Sequence, residues 1–235
     1  MGRGMNLLKL FVCVAFVLAG HGVTVFADDS NTSIIDNTGS GNTIIHLQDH
    51  THNSVAESIV MGDDNFNIIV QSGDLNEGYQ AVTGSGNLQS LFQGFASDIN
   101  DEGGLTIGEE KACIACLGVQ NLDTGESNKQ LLVQNGATQM GIQFSVMGLK
   151  NRQVMSQSGG DNLAVQTIIE GSHSLQAILQ TGTENTAGQN ASADSAFQWI
   201  KQIGTGNTAT QASISVGAVS RIYQSGDGNF AGIEN

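Results

Sequence analysis

The chain has 235 residues, 31 of them glycine and none proline, and a formal net charge of −14. Acid in that excess repels nucleic acid and anionic lipid surfaces, which excludes functions that rest on phosphate contact. Aromatic residues make up only 5%, too few to fill a broad apolar core. The chain is therefore either disordered or a slim structure held by its many Asn and Gln side chains.

Taken from the start, residues 1–27 read as a secretory signal. Arg3 and Lys9 charge the first segment, Leu10 to Ala19 form an apolar run, and Val25-Phe26-Ala27 offers small residues for cleavage. The run is shorter than the roughly 18 residues of a membrane span. The mature chain is expected to begin near Asp28, and loss of the two cations takes the charge from −14 to −16 (−14 − 2). Only Cys113 and Cys116 survive cleavage, too few for a disulfide scaffold.

A short lead, 28–36, precedes a first repeat block at 37–96. Gly-x-x-Asn recurs there at Gly39/Asn42, Gly62/Asn65, Gly73/Asn76 and Gly84/Asn87, with a variant lacking the glycine at Asn53; successive asparagines are 11, 12, 11 and 11 residues apart. This is turn chemistry, because Gly supplies positive φ and Asn tolerates left-handed geometry. Each 11-residue arm leaves a strand of ordinary length between turns. Segment 97–121 breaks the beat with Asp98, Asp101, Glu102, Glu109 and Glu110, and reads as an acidic insert carrying Cys113-Ile-Ala-Cys116.

The second block, 122–235, writes one phrase four times, from Gln157, Gln180, Gln202 and Gln224, at steps of 23, 22 and 22 residues. Each phrase runs Gln-x-Gly-x-x-Asn-x-Ala: Gly159, Gly182, Gly204 and Gly226 at the turn, then Asn162, Asn185, Asn207 and Asn229, then Ala164, Ala187, Ala209 and Ala231. A fixed period of this length marks a solenoid. Period-2 alternation sets Gln134, Gln157, Gln180, Gln202 and Gln224 on the inner face, with Gln153, Gln176 and Gln198 four residues before. Each inner column then holds nearly one residue type, which suits amides bonding to their copies in stacked coils 4.7–4.9 Å apart. Turn residues every 11 positions would break a helix before it became stable. The expected fold is all-β: a β-solenoid of 22-residue, two-arm rungs, parallel and in register, with uncapped ends.

The four phrases resemble curlin repeats, the units of bacterial curli fibre subunits, whose pattern is close to Ser-x5-Gln-x-Gly-x-x-Asn-x-Ala-x5-Gln. The resemblance covers most of 37–96 and 122–235; Gln166, Gln189 and Gln211 stand two residues earlier than the trailing Gln of that pattern. The 11-residue beat looks more like the nucleating subunit and the 22-residue beat more like the major one. Such a resemblance implies a secreted functional amyloid at the bacterial cell surface, polymerising for adhesion and biofilm matrix. It implies as partners further copies of the chain, a second curlin-type subunit and an outer-membrane secretion pore, with neither nucleic acid nor membrane insertion. A monomeric β-solenoid adhesin is the alternative; ice-binding Thr-x-Thr columns and the paired acids of a polysaccharide-cleaving β-helix are not visible.

Other residue groups point to no chemical step. No nucleophile stands beside a base, and no catalytic, cofactor-binding or metal-binding set emerges. Cys113 and Cys116 read as a local disulfide or free thiols, with a redox pair or half a metal site as the alternatives. His46, His50 and His52 read as solvated turn residues, against a transition-metal site. Asp74, Asp161, Glu184 and Asp227 sit in turns, where like charges on successive coils should repel and salt or acid should speed assembly. Phe197, Trp199, Tyr223 and Phe230 fall on the outer face, as sugar contacts, lateral packing or neither.

Overall fold

The structure, a computed structural model, describes residues 12–17, 22–27, 30–49, 51–99, 105–110, 113–192 and 194–235, and these contain no helix. Two parallel sheets run the length of the molecule. Sheet A stacks β1 (Val12–Val17), β3 (Thr32–Thr38), β5 (Val55–Met61), β7 (Glu77–Ser85), β12 (Leu117–Glu126), β14 (Met140–Val146), β16 (Leu163–Ile169), β18 (Thr186–Ala191), β20 (Thr208–Ser213) and β22 (Phe230–Glu234). Sheet B stacks β2 (Gly22–Ala27), β4 (Thr43–Asp49), β6 (Phe66–Ser72), β8 (Leu88–Gln93), β13 (Lys129–Ala137), β15 (Arg152–Gly160), β17 (Leu175–Thr183), β19 (Phe197–Thr205) and β21 (Val219–Ser225), with β11 (Cys113–Ile114) beside β13. A separate antiparallel pair joins β9 (Phe95–Ile99) to β10 (Leu105–Glu110). The chain thus alternates between sheets, one strand of each per coil. It is a β-solenoid with in-register parallel stacking, as the columns require.

The register shows why the repeat folds this way. Gln130, Gln153, Gln176 and Gln198 pair in succession, as do Gln134, Gln157, Gln180, Gln202 and Gln224. Inner and outer positions alternate along the strands from β3 to β8 and from β12 to β22, so a slip of one residue would turn the amides outward and the outer residues in. The interior is two side chains wide. Ile69, Leu91, Leu132, Met155, Ile178, Ile200 and Ile222 project from sheet B onto a column of small residues in sheet A, among them Ala56, Ala164, Ala187 and Ala209. Where the facing residue is Leu, the small column shrinks to glycine: a Cβ on Gly118 would stand 2.6 Å from Leu91 Cδ1, and one on Gly141 2.7 Å from Leu132 Cδ1.

The corner glycines answer a second constraint. Gly159, Gly182 and Gly204 hold φ of +115°, +118° and +121°, and a Cβ on any of them would run into the carbonyl oxygen of the glycine in the next coil. Any other residue there would be strained twice, by conformation and by the rung spacing.

Two boundaries differ from the sequence expectation. The stack begins before residue 37: β3 belongs to it, and β1 and β2, inside the expected leader, lie against β3 and β4. Asp28, the expected mature start, lies outside the described residues. The insert is also shorter at its far end than 97–121. Gln93 pairs with Gln134 and Cys113 with Gly136, which places Gly94 and Cys113 at adjacent positions of one coil. The extra chain is therefore 95–112, or (113 − 93) − (136 − 134) = 18 residues. From Cys113 onward the solenoid resumes.

Candidate functional site

The repeat's chemistry is gathered in five internal columns of amides, three along the strands and one at each of two corners, the first corner stacking Asn42, Asn65, Asn87, Asn128 and Asn151. In the longest, Nε2 of Gln48 donates to Oε1 of Gln71, and the same bond repeats through Gln93, Gln134, Gln157, Gln180, Gln202 and Gln224 at 2.8 to 3.0 Å. A second column runs Asn67, Gln89, Gln130, Gln153, Gln176, Gln198, also at 2.8 to 3.0 Å. A third, in sheet A, runs Gln80, Gln120, Gln143, Gln166, Gln189, Gln211 at 2.8 to 2.9 Å. The second N–H of each amide is not wasted: Gln157, Gln180 and Gln202 also donate to the carbonyls of Met140, Leu163 and Thr186 across the coil. Such pairing is obligatory, since a buried amide left alone costs about 1–3 kcal/mol.

The fourth column turns the corner. The backbone N–H and Nδ2 of Asn185, Asn207 and Asn229 donate to Oδ1 of the asparagine one coil earlier, at 2.8 to 3.1 Å. Nδ2 of Asn162, Asn185 and Asn207 also caps the carbonyls of Gly182, Gly204 and Gly226. Asn162, Asn185 and Asn207 are buried with Ala164, Ala187 and Ala209, whereas Asn229 is exposed and Ala231 half-buried, because the last coil has no strand above it among the described residues.

Followed backward, this column changes composition. Its earlier members are Asn76, Ser54 and Asn31; Asn53, the variant expected from the beat, holds a turn at φ 53° while Ser54 Oγ accepts the N–H of Asn76. Between Asn76 and Asn162 the slots are filled by Cys116 and Gln139. Cys113 and Cys116 form a disulfide that stands in the places of Gly and Asn in the corner motif, with Cys116 N–H on Asn76 Oδ1 at 3.2 Å. Gln139 bonds within its own coil and to Gly159, so the asparagine ladder pauses for two rungs there. The disulfide lies in the wall of the solenoid and not in a free loop.

Gln48, Gln71, Gln93, Gln89 and Gln120 belong to the same columns as the residues expected from the second block. Their signal was present in the spacing: 41 residues separate Gln93 from Gln134, one 23-residue step plus the 18-residue insertion.

One expectation is corrected and two are refined. His46 is not a turn residue; it is fully buried in β4, its two ring nitrogens each 2.7 Å from a hydroxyl, Ser33 on one side and Ser58 on the other. Burial lowers its pKa to about 4. His50 lies outside the described residues, His52 sits in an exposed turn, and no cluster of three metal-ligating residues occurs among the described residues. Trp199 stands on the outer face as expected, yet is only 6% exposed, while Tyr223 and Phe230 are open to solvent. The turn carboxylates of Asp74 and Asp227 each accept a backbone N–H from the preceding coil, of His52 at 3.1 Å and Thr205 at 2.9 Å. Asp63 and Asp194 do the same for Ser40 and Ser172. These acids tie coils together as well as charging them.

Fold and columns together define a class: a parallel two-sheet β-solenoid with continuous internal amide ladders. Comparison with protein-family models, with curated proteins and with solved structures finds no match.

Proposed function

We propose that this chain is a structural subunit, secreted and polymerising end to end into a cross-β fibre of the curli kind. The observation that carries this reading is the polarity of the glutamine column. Every bond from Gln48 to Gln224 runs from the amide nitrogen of one coil to the oxygen of the next. At one end the buried Oε1 of Gln48 has no donor; at the other, Nε2 of Gln224 donates only to its own coil, at Thr208. Among the described residues the glutamine column thus ends in an acceptor on one side and a donor on the other, while the asparagine column runs the opposite way. Copies that join through these columns therefore join in one orientation. A contact of that type, repeated without rotational closure, grows an open filament.

Once cleavage after Ala27 removes β1 and β2, the joint in sheet A sets β22 of one copy on β3 of the next. Sheet B then asks for one more strand, since β3 to β22 supply nine strands to sheet A and β4 to β21 eight to sheet B. With β1 and β2 gone, a strand from a second subunit fills that seat.

The deciding experiment follows purified protein beginning at Asp28 for growth of dye-binding fibrils with a meridional reflection near 4.7 Å. Growth should accelerate between low and physiological salt, because the coils carry net negative charge. Monomer that persists for days at tens of micromolar would overturn the reading in favour of a solitary β-solenoid binder.

A further inference from the structure

We propose that the outer face of sheet B is a lateral docking surface for a second copy of this stack, and that the β9–β10 hairpin is its built-in cover. The first observation is a burial that alternation does not explain. Val133, Val154, Leu179 and Trp199 point away from the amide columns, yet they are 0%, 0%, 5% and 6% exposed. Val154, Ala177, Leu179 and Trp199 form an apolar cluster of their own, outside the solenoid core. β9 lies over β13 and β15, with Phe95 edge-on to Phe92 at 5.9 Å between ring centres. On β21, two coils or more beyond the nearest strand that β9 touches, outward Val219 and Tyr223 are 63% and 64% exposed.

The second observation is charge. Outward positions on the strands of sheet B carry Lys129, Arg152, Lys201 and Arg221, against one acid, Asp49 at the end of β4. Outward positions on sheet A carry Asp36, Glu57, Glu77, Asp123 and Glu234 and no Lys or Arg. The solenoid thus has a cationic side and an anionic side, back to back. Sheet A also shows exposed Ile34, Met61, Met140 and Ile169. An apolar face edged by cations is complementary to an apolar face edged by acids, so sheet A of a neighbouring stack fits sheet B of this one. The inserted segment has the same chemistry as sheet A: Asp98, Asp101, Glu102, Glu109 and Glu110 against Lys111. Its strand β9 lies on the place that a neighbour's anionic face would take.

Because 95–112 enters between adjacent positions of one coil, it can be excised by joining Gly94 to Cys113. The β-sheet circular dichroism of that variant should match the parent. At low salt it should associate side by side, doubling the mass by sedimentation or the width of its fibres by electron microscopy, and half-molar salt should reverse this. Adding Lys129→Glu and Arg152→Glu should restore the single stack. A deletion variant of unchanged mass and width, or association indifferent to those two reversals, overturns the proposal. Should the deletion variant not fold, the intact chain with Asp98→Lys, Glu109→Lys and Glu110→Lys decides. Lateral association there supports the cover; unchanged mass and width refute it. Width reports the sides and length the ends, so fibres that lengthen at single-stack width leave end-to-end polymerisation intact while this proposal fails.

Discussion

Gln180→Leu tests the amide ladder at its centre. Gln180 donates to Leu163 O at 3.0 Å, Asn185 O at 2.9 Å and Gln202 Oε1 at 3.0 Å, and accepts from Gln157 Nε2 at 3.0 Å. Leucine is of similar volume and leaves little cavity, so the cost is almost wholly that of stranded partners. Asn185 O keeps the N–H of Leu163, but Gln157 loses an acceptor and Gln202 a donor. Two buried amide groups left short at about 1–3 kcal/mol each give a loss of roughly 2–6 kcal/mol. At the open end, Gln224→Leu strands only Gln202 Nε2 and the second lone pair of Thr208 O, and should cost about half as much. The double variant Gln180→Leu/Gln202→Leu should lose less than the sum of its singles, because each substitution removes a group that the other leaves unpaired. Urea unfolding of monomer at low salt, read by circular dichroism with the slope held constant, measures all three. A central variant within about 0.5 kcal/mol of the parent, the range of an ordinary surface change, or one no costlier than the end variant, refutes the ladder as a source of stability.

Three further outcomes follow from single sites. Gly182→Ala should cost about 3 kcal/mol or more in the same assay, through its φ of +118° and the clash with Gly204 O, whereas Gly228→Ala, at φ +67° with nothing near its Cβ, should cost only about 1–2 kcal/mol. His46 has a folded pKa of about 4 against the ordinary 6.5, so between those values the unfolded chain binds more protons and stability falls as pH drops. The loss should reach about 3 kcal/mol near pH 4 and level off below it; a matched series on His46→Leu should lack that component, and equal pH slopes would contradict the assignment. Reducing Cys113–Cys116 opens a ring of four residues, for which chain entropy gives about 2 kcal/mol. Urea midpoints with and without a dithiol, alongside thiol titration, should show a modest loss; an unchanged midpoint with two titrated thiols would mean that the corner holds by packing alone.

Much of the fold was legible because each coil repeats the same three demands: a glycine the next coil's carbonyl will not let grow a Cβ, an asparagine to bridge the corner, and glutamines that must find copies of themselves. Those demands are written at constant spacing in Gln157 to Ala231, so register and inner face could be read directly. What escaped detection is what breaks the repeat. Ser54 replaces Asn in the corner by offering a hydroxyl where an amide oxygen stands elsewhere, and its neighbour Asn53 drew the motif one residue astray. His46 stands in the Ile and Leu column, where only its two flanking serines, on β3 and β5, make a polar ring tolerable; the three residues are far apart in sequence, and no local pattern announces them. Trp199 occupies an outward position by alternation, and its packing with Val154, Ala177 and Leu179 is a tertiary contact that alternation does not encode.

The disulfide shows how composition can mislead where spacing does not. Cys113-Ile-Ala-Cys116, beside a run of acids, suggests a loop, yet subtracting the 18 inserted residues from the 40 between Asn76 and Cys116 leaves 22, one coil. The chain therefore re-enters the stack at Cys113, and Cys116 lands in the asparagine column, where a thioether-like sulfur can neither donate to nor accept well from the next amide. The covalent bond closes the corner that a Gly-x-x-Asn turn closes elsewhere, at the coil where the insertion leaves the chain without its usual connection. A long excursion and a covalent corner at one rung are then linked parts of one solution: the solenoid carries a cover for its outer face without losing register on either side of it.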